Sequence, residues 1–243
     1  MKSRQEITEK IRLALFESCD DALCFSDDET HLIDAEYLLT VNAAKSIQKL
    51  NVGFASPYKI SIECDTQVVA TACTPLLGKI PAIDSKIPKI VGRPKLNTKR
   101  IGKVDIAVFE RKSNDIPVCA IELKGFNPKK KLILDDLKRN AEFFSMRSNT
   151  GDSLISFTIF AALHSYKLSM SEKKQNANIN NLKERYKEHI TSISVNHGVK
   201  SEIDVFPIRG GKTPDPDDPY VIECGLQDSD QYHFVGVIVC FYK

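Results

Sequence analysis

The sequence predicts an α/β protein with a mixed central β-sheet and helices on both of its faces. Three observations carry this. Apolar residues recur at helical spacing in residues 3–18, from about 30 to 50, 129–147 and 171–193. Short β-branched runs at 58–63, 104–109, 117–123, 154–163, 203–208 and 233–242 lie between or after those stretches. The runs at 104–109 and 117–123 are apolar on both faces, as strands inside a covered sheet are.

Composition sets the bounds. With 243 residues, 42% hydrophobic and 27% charged, the chain has the make-up of a globular protein of one large domain or two small ones. A net charge of +2 permits a local basic patch but excludes the strongly basic class of nucleic-acid binders. Seven dispersed cysteines contain no C-x-x-C pair, and five histidines show no metal-ligand spacing, so reduced thiols are expected instead of disulfides or zinc. The polar N-terminus lacks a signal-peptide pattern, and the longest apolar run, 234–242, is far too short to span a bilayer. A cytoplasmic protein with no membrane segment is expected. No internal repeat or low-complexity tract is present.

In residues 3–18, Ile7, Ile11 and Leu15 mark one helix face. Ser26 with Glu29, or Thr30, offers a cap for a second helix running to about Leu50. Its stripe is Leu32, Glu36, Leu39, Ala43, Ile47 and Leu50, so Glu36 is the one acid in an apolar row. It reads either as the edge of the stripe or as a functional group. Residues 58–63 alternate as a strand, and 66–74 fit a strand or a short helix. Residues 75–99, with four prolines, form a long connection. Its basic end (Lys86, Lys89, Arg93, Lys95, Lys99, Arg100 and Lys103) leads straight into Asp105. That run is either a solvated loop or a phosphate-contacting arm, and its position favours the arm.

The two central runs flank a polar segment and predict a β-hairpin. Side chains alternate across a strand, so Glu122 and Lys124 share a face. Folded symmetrically about Ser113–Asn114, the hairpin sets Asp105 opposite Glu122, Ala107 opposite Ala120 and Phe109 opposite Val118. Ile106, Val108, Cys119, Ile121 and Leu123 fill the other face. Two facing carboxylates destabilise a sheet unless a cation compensates. Lys124 supplies one charge, and a divalent cation held by hard carboxylate oxygens would supply the rest.

Residues 129–147 predict a helix with Leu134, Leu137, Ala141 and Phe144 on its core side. Lys129-Lys130-Lys131 opens it against the helix dipole, which points to solubility or to a polyanion. Asp136 and Arg139, one turn apart, are expected as a surface pair, with a substrate contact by Arg139 as the second option. A buried strand at 154–163, an outer helix at 171–193 and a strand at 203–208 follow. Gly210-Gly211-Lys212-Thr213 is no phosphate-binding loop, because the earlier glycine is missing and Pro214, Pro216 and Pro219 forbid the helix. Residues 220–224 and 233–242 are expected as two paired strands.

Asp105 on one strand, with Glu122-Leu123-Lys124 on the next, resembles the PD-(D/E)XK phosphodiesterase superfamily and its restriction-endonuclease-like fold. Val104 stands where the motif's name has proline. The Glu-x-Lys pattern alone is unspecific. Five acid-x-Lys matches occur, starting at Asp84, Glu110, Glu122, Asp136 and Glu172, and only Glu122–Lys124 lies in an apolar strand with an acid upstream to face it. The resemblance covers about residues 30–165 of a single domain, 1–243, leaving the N-terminal helix and the C-terminal strands as additions. It implies a magnesium-dependent nuclease, manganese being an alternative ion. Asp105 and Glu122, with the Leu123 carbonyl, would be metal ligands, and Lys124 would assist the attacking water. Glu36 resembles the glutamate that many such families carry on the preceding helix, aimed at the metal. The implied partner is nucleic acid, DNA being the commoner substrate, with Arg93, Lys95, Lys99, Arg100, Lys103, Lys129, Lys130 and Arg139 as candidate contacts. A homodimer is compatible with this reading. The alternatives are an inactive module on the same fold that binds nucleic acid or a protein, and an ordinary hairpin with a structural ion pair.

Overall fold

The first helix is longer than its periodicity suggests. α1 spans Lys2–Phe25, and Ile7, Ile11, Ala14, Leu15 and Cys19 along it are fully buried. The structure, a computed structural model, describes residues 2–25, 35–52, 56–75, 102–111, 116–146, 151–212 and 231–243, with positions 215, 217, 219 and 222. α2 (Ala35–Gln48) packs beside α1, with Leu39, Ala43 and Ile47 inward as predicted. The proposed cap at Ser26 or Thr30, and Leu32, lie outside the described residues. β1 (Tyr58–Asp65) is followed at once by α3 (Thr66–Cys73), which settles the strand-or-helix alternative. Asp65 is the reason: its side chain accepts from the Gln67 N–H at 2.7 Å and caps the helix.

β2 (Lys103–Glu110) and β3 (Pro117–Phe126) form the predicted antiparallel pair. Ala107 faces Ala120 as expected, but a bulge at Val108/Phe109 places Phe109 opposite Pro117, not Val118. α4 (Lys130–Glu142) starts one residue late and gives way to a 3-10 turn, Phe143–Ser145. β4 (Phe157–Tyr166) follows, then α5 (Glu172–His197), capped by Ser171 and closed by Gly198 in the left-handed conformation at φ 61°. β5 (Lys200–Arg209) and β6 (His233–Tyr242) complete the chain.

One six-stranded sheet results, in the order β1-β2-β3-β4-β6-β5. Only β3 and β4 run parallel, and the other four pairs are antiparallel. β6 is bonded to β4 on one side and β5 on the other. Both edges of β6 are thus taken, and the strand expected at 220–224 lies, except for position 222, outside the described residues. Gly236 on β6 sits beneath the Phe206 ring, where a Cβ would come within 2.7 Å. That close approach lets Phe206 stack on Phe16 of α1, with ring centroids 5.7 Å apart.

The sheet separates two cores. α1 and α2 cover one face, meeting Ile106, Val108, Cys119, Ile121 and Leu123. α3, α4 and α5 cover the other, meeting Ala107, Phe109 and Ala120. The face assignment made from strand alternation therefore holds except at Val118, which was expected opposite Phe109 and packs instead in the core under α1 and α2, next to the bulge. The six described cysteines are all free. Among the described residues no helix is long and apolar enough to cross a membrane.

Candidate functional site

The paired register of β2 and β3 ends outward at Ile106–Ile121. One step further the same register sets Asp105 across from Glu122. There the ladder gives way to a side chain: Asp105 Oδ2 accepts the Leu123 N–H at 2.6 Å. The carboxylate thus stands in for a backbone acceptor and is pinned against β3. On the other side of Lys124 a second irregularity, between Lys124 and Phe126 in the β3–β4 ladder, re-aims the end of the strand.

From this point a chain of alternating charges crosses the end of the sheet. Glu122 is 2% exposed, and its Oε1 accepts from Arg139 Nη1 at 2.7 Å. Arg139 Nη1 also donates to the Lys103 carbonyl at 2.9 Å, and Nη2 lies 3.4 Å from Asp136 Oδ1. Asp136 Oδ2, buried and without a hydrogen bond among the described residues, is 3.4 Å from Lys124 Nζ. Lys124 in turn donates to Glu36 Oε1 at 2.8 Å. Lys124 therefore ties α2, on one face of the sheet, to α4, on the other.

Burial shapes the proton affinities. It pushes the Asp105 carboxyl up to about 6, against the pull of the Leu123 N–H and Lys124. Burial, then the Asp105 charge, push Glu122 up to about 9, more than the Arg139 guanidinium draws it down. Burial alone would lower Lys124, but Asp136, the Glu36 bond and Asp105 outweigh it, and the ammonium is held above its ordinary range. The sign of the stability effect follows. A carboxyl raised by folding contributes stability fully below its ordinary value of 4.5 and loses it as pH climbs towards about 9. In chelator, Glu122→Gln is accordingly expected to gain thermal stability relative to wild type between pH 5 and pH 9. Parallel melting curves across that window would refute the burial argument.

Four carboxylates (Glu36, Asp105, Glu122 and Asp136) meet two cations, Lys124 and Arg139, in this chain of contacts. With all four ionised, two negative charges are in excess, the charge of one divalent cation; without the ion, burial keeps Glu122 protonated near neutral pH. Among the described residues no three Asp, Glu, His or Cys side chains gather into a metal cage. The donor set suits magnesium nonetheless, which typically takes one or two carboxylates and completes its shell with waters and phosphate. Asp105 and Glu122 fit that role. Each engages one oxygen in the bonds above.

The structure brings together Asp105, Glu122, Leu123, Lys124 and Glu36, all singled out by sequence. Glu36 meets the Lys124 ammonium, so its link to the two strand acids runs through that cation. One expectation is corrected. Asp136 and Arg139 are not a surface pair: Asp136 is 5% exposed and both turn into the site. The buried row of α4 is Ile133, Asp136, Leu137, Asn140 and Ala141, and Leu134 lies beside it, only partly buried. The missed signal was that spacing, which puts Asp136 in line with the apolar residues. Lys103 exposes its side chain and pairs with Glu63 at 3.4 Å. Lys129 and Lys130 are exposed at the start of α4. Arg93, Lys95, Lys99 and Arg100 lie outside the described residues, as do Lys86 and Lys89.

No protein-family model matches the chain, and neither a curated protein nor a solved structure matches it.

Proposed function

We propose that the chain is a magnesium-dependent nuclease of the PD-(D/E)XK type, on a restriction-endonuclease-like version of the mixed sheet. The supporting observation is the convergence of Asp105, Glu122 and Lys124 at the open end of the β2–β3 ladder, in a cluster of four carboxylates and two cations. Asp105 and Glu122, with the Leu123 carbonyl, would hold the ion, and manganese would serve as well. Bound there, the ion would supply Lewis-acid stabilisation of the charge that builds on the phosphoryl group.

The chain's own groups do the rest. Lys124 stays an ammonium at neutral pH, so it acts as a donor and not as a general base. An ammonium has three protons, and Glu36 and Asp136 face two of them, leaving one for the attacking water or a phosphate oxygen. Glu36 and Asp136 fix the direction of that proton. Arg139 offsets the Glu122 charge from the α4 side. Nucleic acid would approach across the basic segment before Asp105, and DNA is the substrate we expect.

One observation favours the second reading, an inactive module that binds nucleic acid or a protein. Every cation in the cluster already has an acid, as in a purely structural network. Incubation with single- and double-stranded DNA and RNA, in magnesium, manganese or chelator, separates the two. The expected result is cleavage in either metal and none in chelator. Nucleic-acid binding that ignores the metal, with no product on any substrate, would replace the nuclease by the module.

A further inference from the structure

A second cavity opens at the opposite pole of the sheet. It encloses about 700 Å³, within the roughly 300–1,000 Å³ typical of small-molecule sites. Val118, on its wall, is four residues before Glu122 on β3, a separation of about 13 Å along the strand. The cavity is therefore distinct from the acidic cluster. Its charge is the reverse: the described side chains on its wall include Arg4, Arg111, Lys200 and Lys243 against the single carboxylate of Glu110.

Three of those cations are already held in place. Arg4 stacks over the Tyr242 ring, 3.7 Å from its centroid, and lies 3.7 Å from Glu202. Arg111 donates Nε to the Tyr58 carbonyl at 2.9 Å, which orients the guanidinium and leaves its terminal nitrogens for a ligand. Lys243 donates to the Ser153 carbonyl at 3.4 Å. Between the cations lie Val118 and Phe157, both buried, and the partly exposed Tyr242, whose ring Arg4 covers on one side. Cations alone would suit any anion. Cations beside an aromatic edge suit an anion that carries a flat ring, and Glu110 offers an acceptor for a hydroxyl.

We propose that this cavity binds a nucleoside phosphate bearing two or more negative charges, with Arg111 and Lys200 on the phosphates and the ring beside Tyr242. The ligand has two sources, a free nucleotide or the phosphorylated end of a nucleic-acid strand.

Isothermal titration of the full chain in chelator tests this, with nucleoside diphosphates and triphosphates of each base, the matching nucleosides, inorganic phosphate and a 5′-phosphorylated oligonucleotide. Saturable binding of a nucleotide or of the phosphorylated oligonucleotide is expected, and which of them binds identifies the source. Arg111→Ala and Lys200→Ala, both at exposed positions, should each weaken it at least about tenfold, the size of a lost charge-assisted hydrogen bond. Melting curves confirm that the variants are folded. The titration is run without metal and reads no cleavage, so failure of the nuclease proposal leaves this one intact. Absence of saturable binding by all nucleotides and oligonucleotides overturns the proposal. Unaltered binding in both variants, or phosphate binding as tight as nucleotide, does so too.

Discussion

Asp105→Asn is expected to cut metal-dependent cleavage by about a thousandfold or more, the equivalent of some 4 kcal/mol of transition-state stabilisation, while the protein stays folded. The substitution keeps the shape and the oxygen that accepts the Leu123 N–H, so the end of β3 retains its anchor. It removes a charge that the fold tolerates poorly, as the upward shift of Asp105 to about 6 shows. Metal-free stability should therefore hold or rise, and the stabilisation by magnesium expected of wild type should vanish. Cleavage assays and melting curves with and without magnesium read these two effects separately. Cleavage within a few-fold of wild type would remove Asp105 from the mechanism and the proposal with it.

Lys124 divides the possible roles more finely. A lysine acting as base would need its proton affinity lowered towards neutrality, and here the surrounding acids raise it. In the proposed mechanism the Lys124 contribution would come from charge and direction. Those depend on Glu36 and Asp136, which approach it from α2 and α4. Two helices on opposite faces of the sheet thus meet at one ammonium, and their packing distance fixes where it points.

Strand alternation alone placed Asp105, Glu122 and Lys124 correctly, because a strand in a covered sheet leaves each side chain only two directions. The same logic sorted the apolar residues of β2 and β3 onto their two cores. It failed at Phe109, since a bulge shifts register without changing composition. Helix stripes were harder to read. On α4, polarity hid burial: Asp136 and Asn140 sit in the inward row, so a search for apolar residues drifted to Leu134. The partners of β6 were invisible for another reason. Its apolar face fits any neighbouring strand, and the choice of β4 and β5 depends on long-range pairing. Asp65 was legible in principle, being a capping residue directly before Thr66.

Arg139→Met is expected to destabilise the protein by about 3 kcal/mol, the low end of the cost of breaking a buried ion pair from one side. Glu122 is 2% exposed, and the guanidinium that faces it also holds the Lys103 carbonyl and Asp136. Methionine fills much of the volume but leaves the four carboxylates of the cluster with Lys124 alone. For a chain of this size the loss corresponds to a melting temperature lower by about 6–12 °C. Arg139→Lys should recover part of it, because a lysine restores the charge but not the planar fork that spans Glu122 and Asp136. In the double variant Arg139→Met with Glu122→Gln, the damage should fall well short of the sum, since the orphaned acid has gone. Urea unfolding of wild type, the three single variants (Arg139→Met, Arg139→Lys and Glu122→Gln) and the double variant measures each of these differences. A melting temperature for Arg139→Met within about 2 °C of wild type would correspond to less than about 1 kcal/mol. The contacts of Arg139 would then be those of a surface pair, and Glu122 would be held by burial among its apolar neighbours instead of by α4.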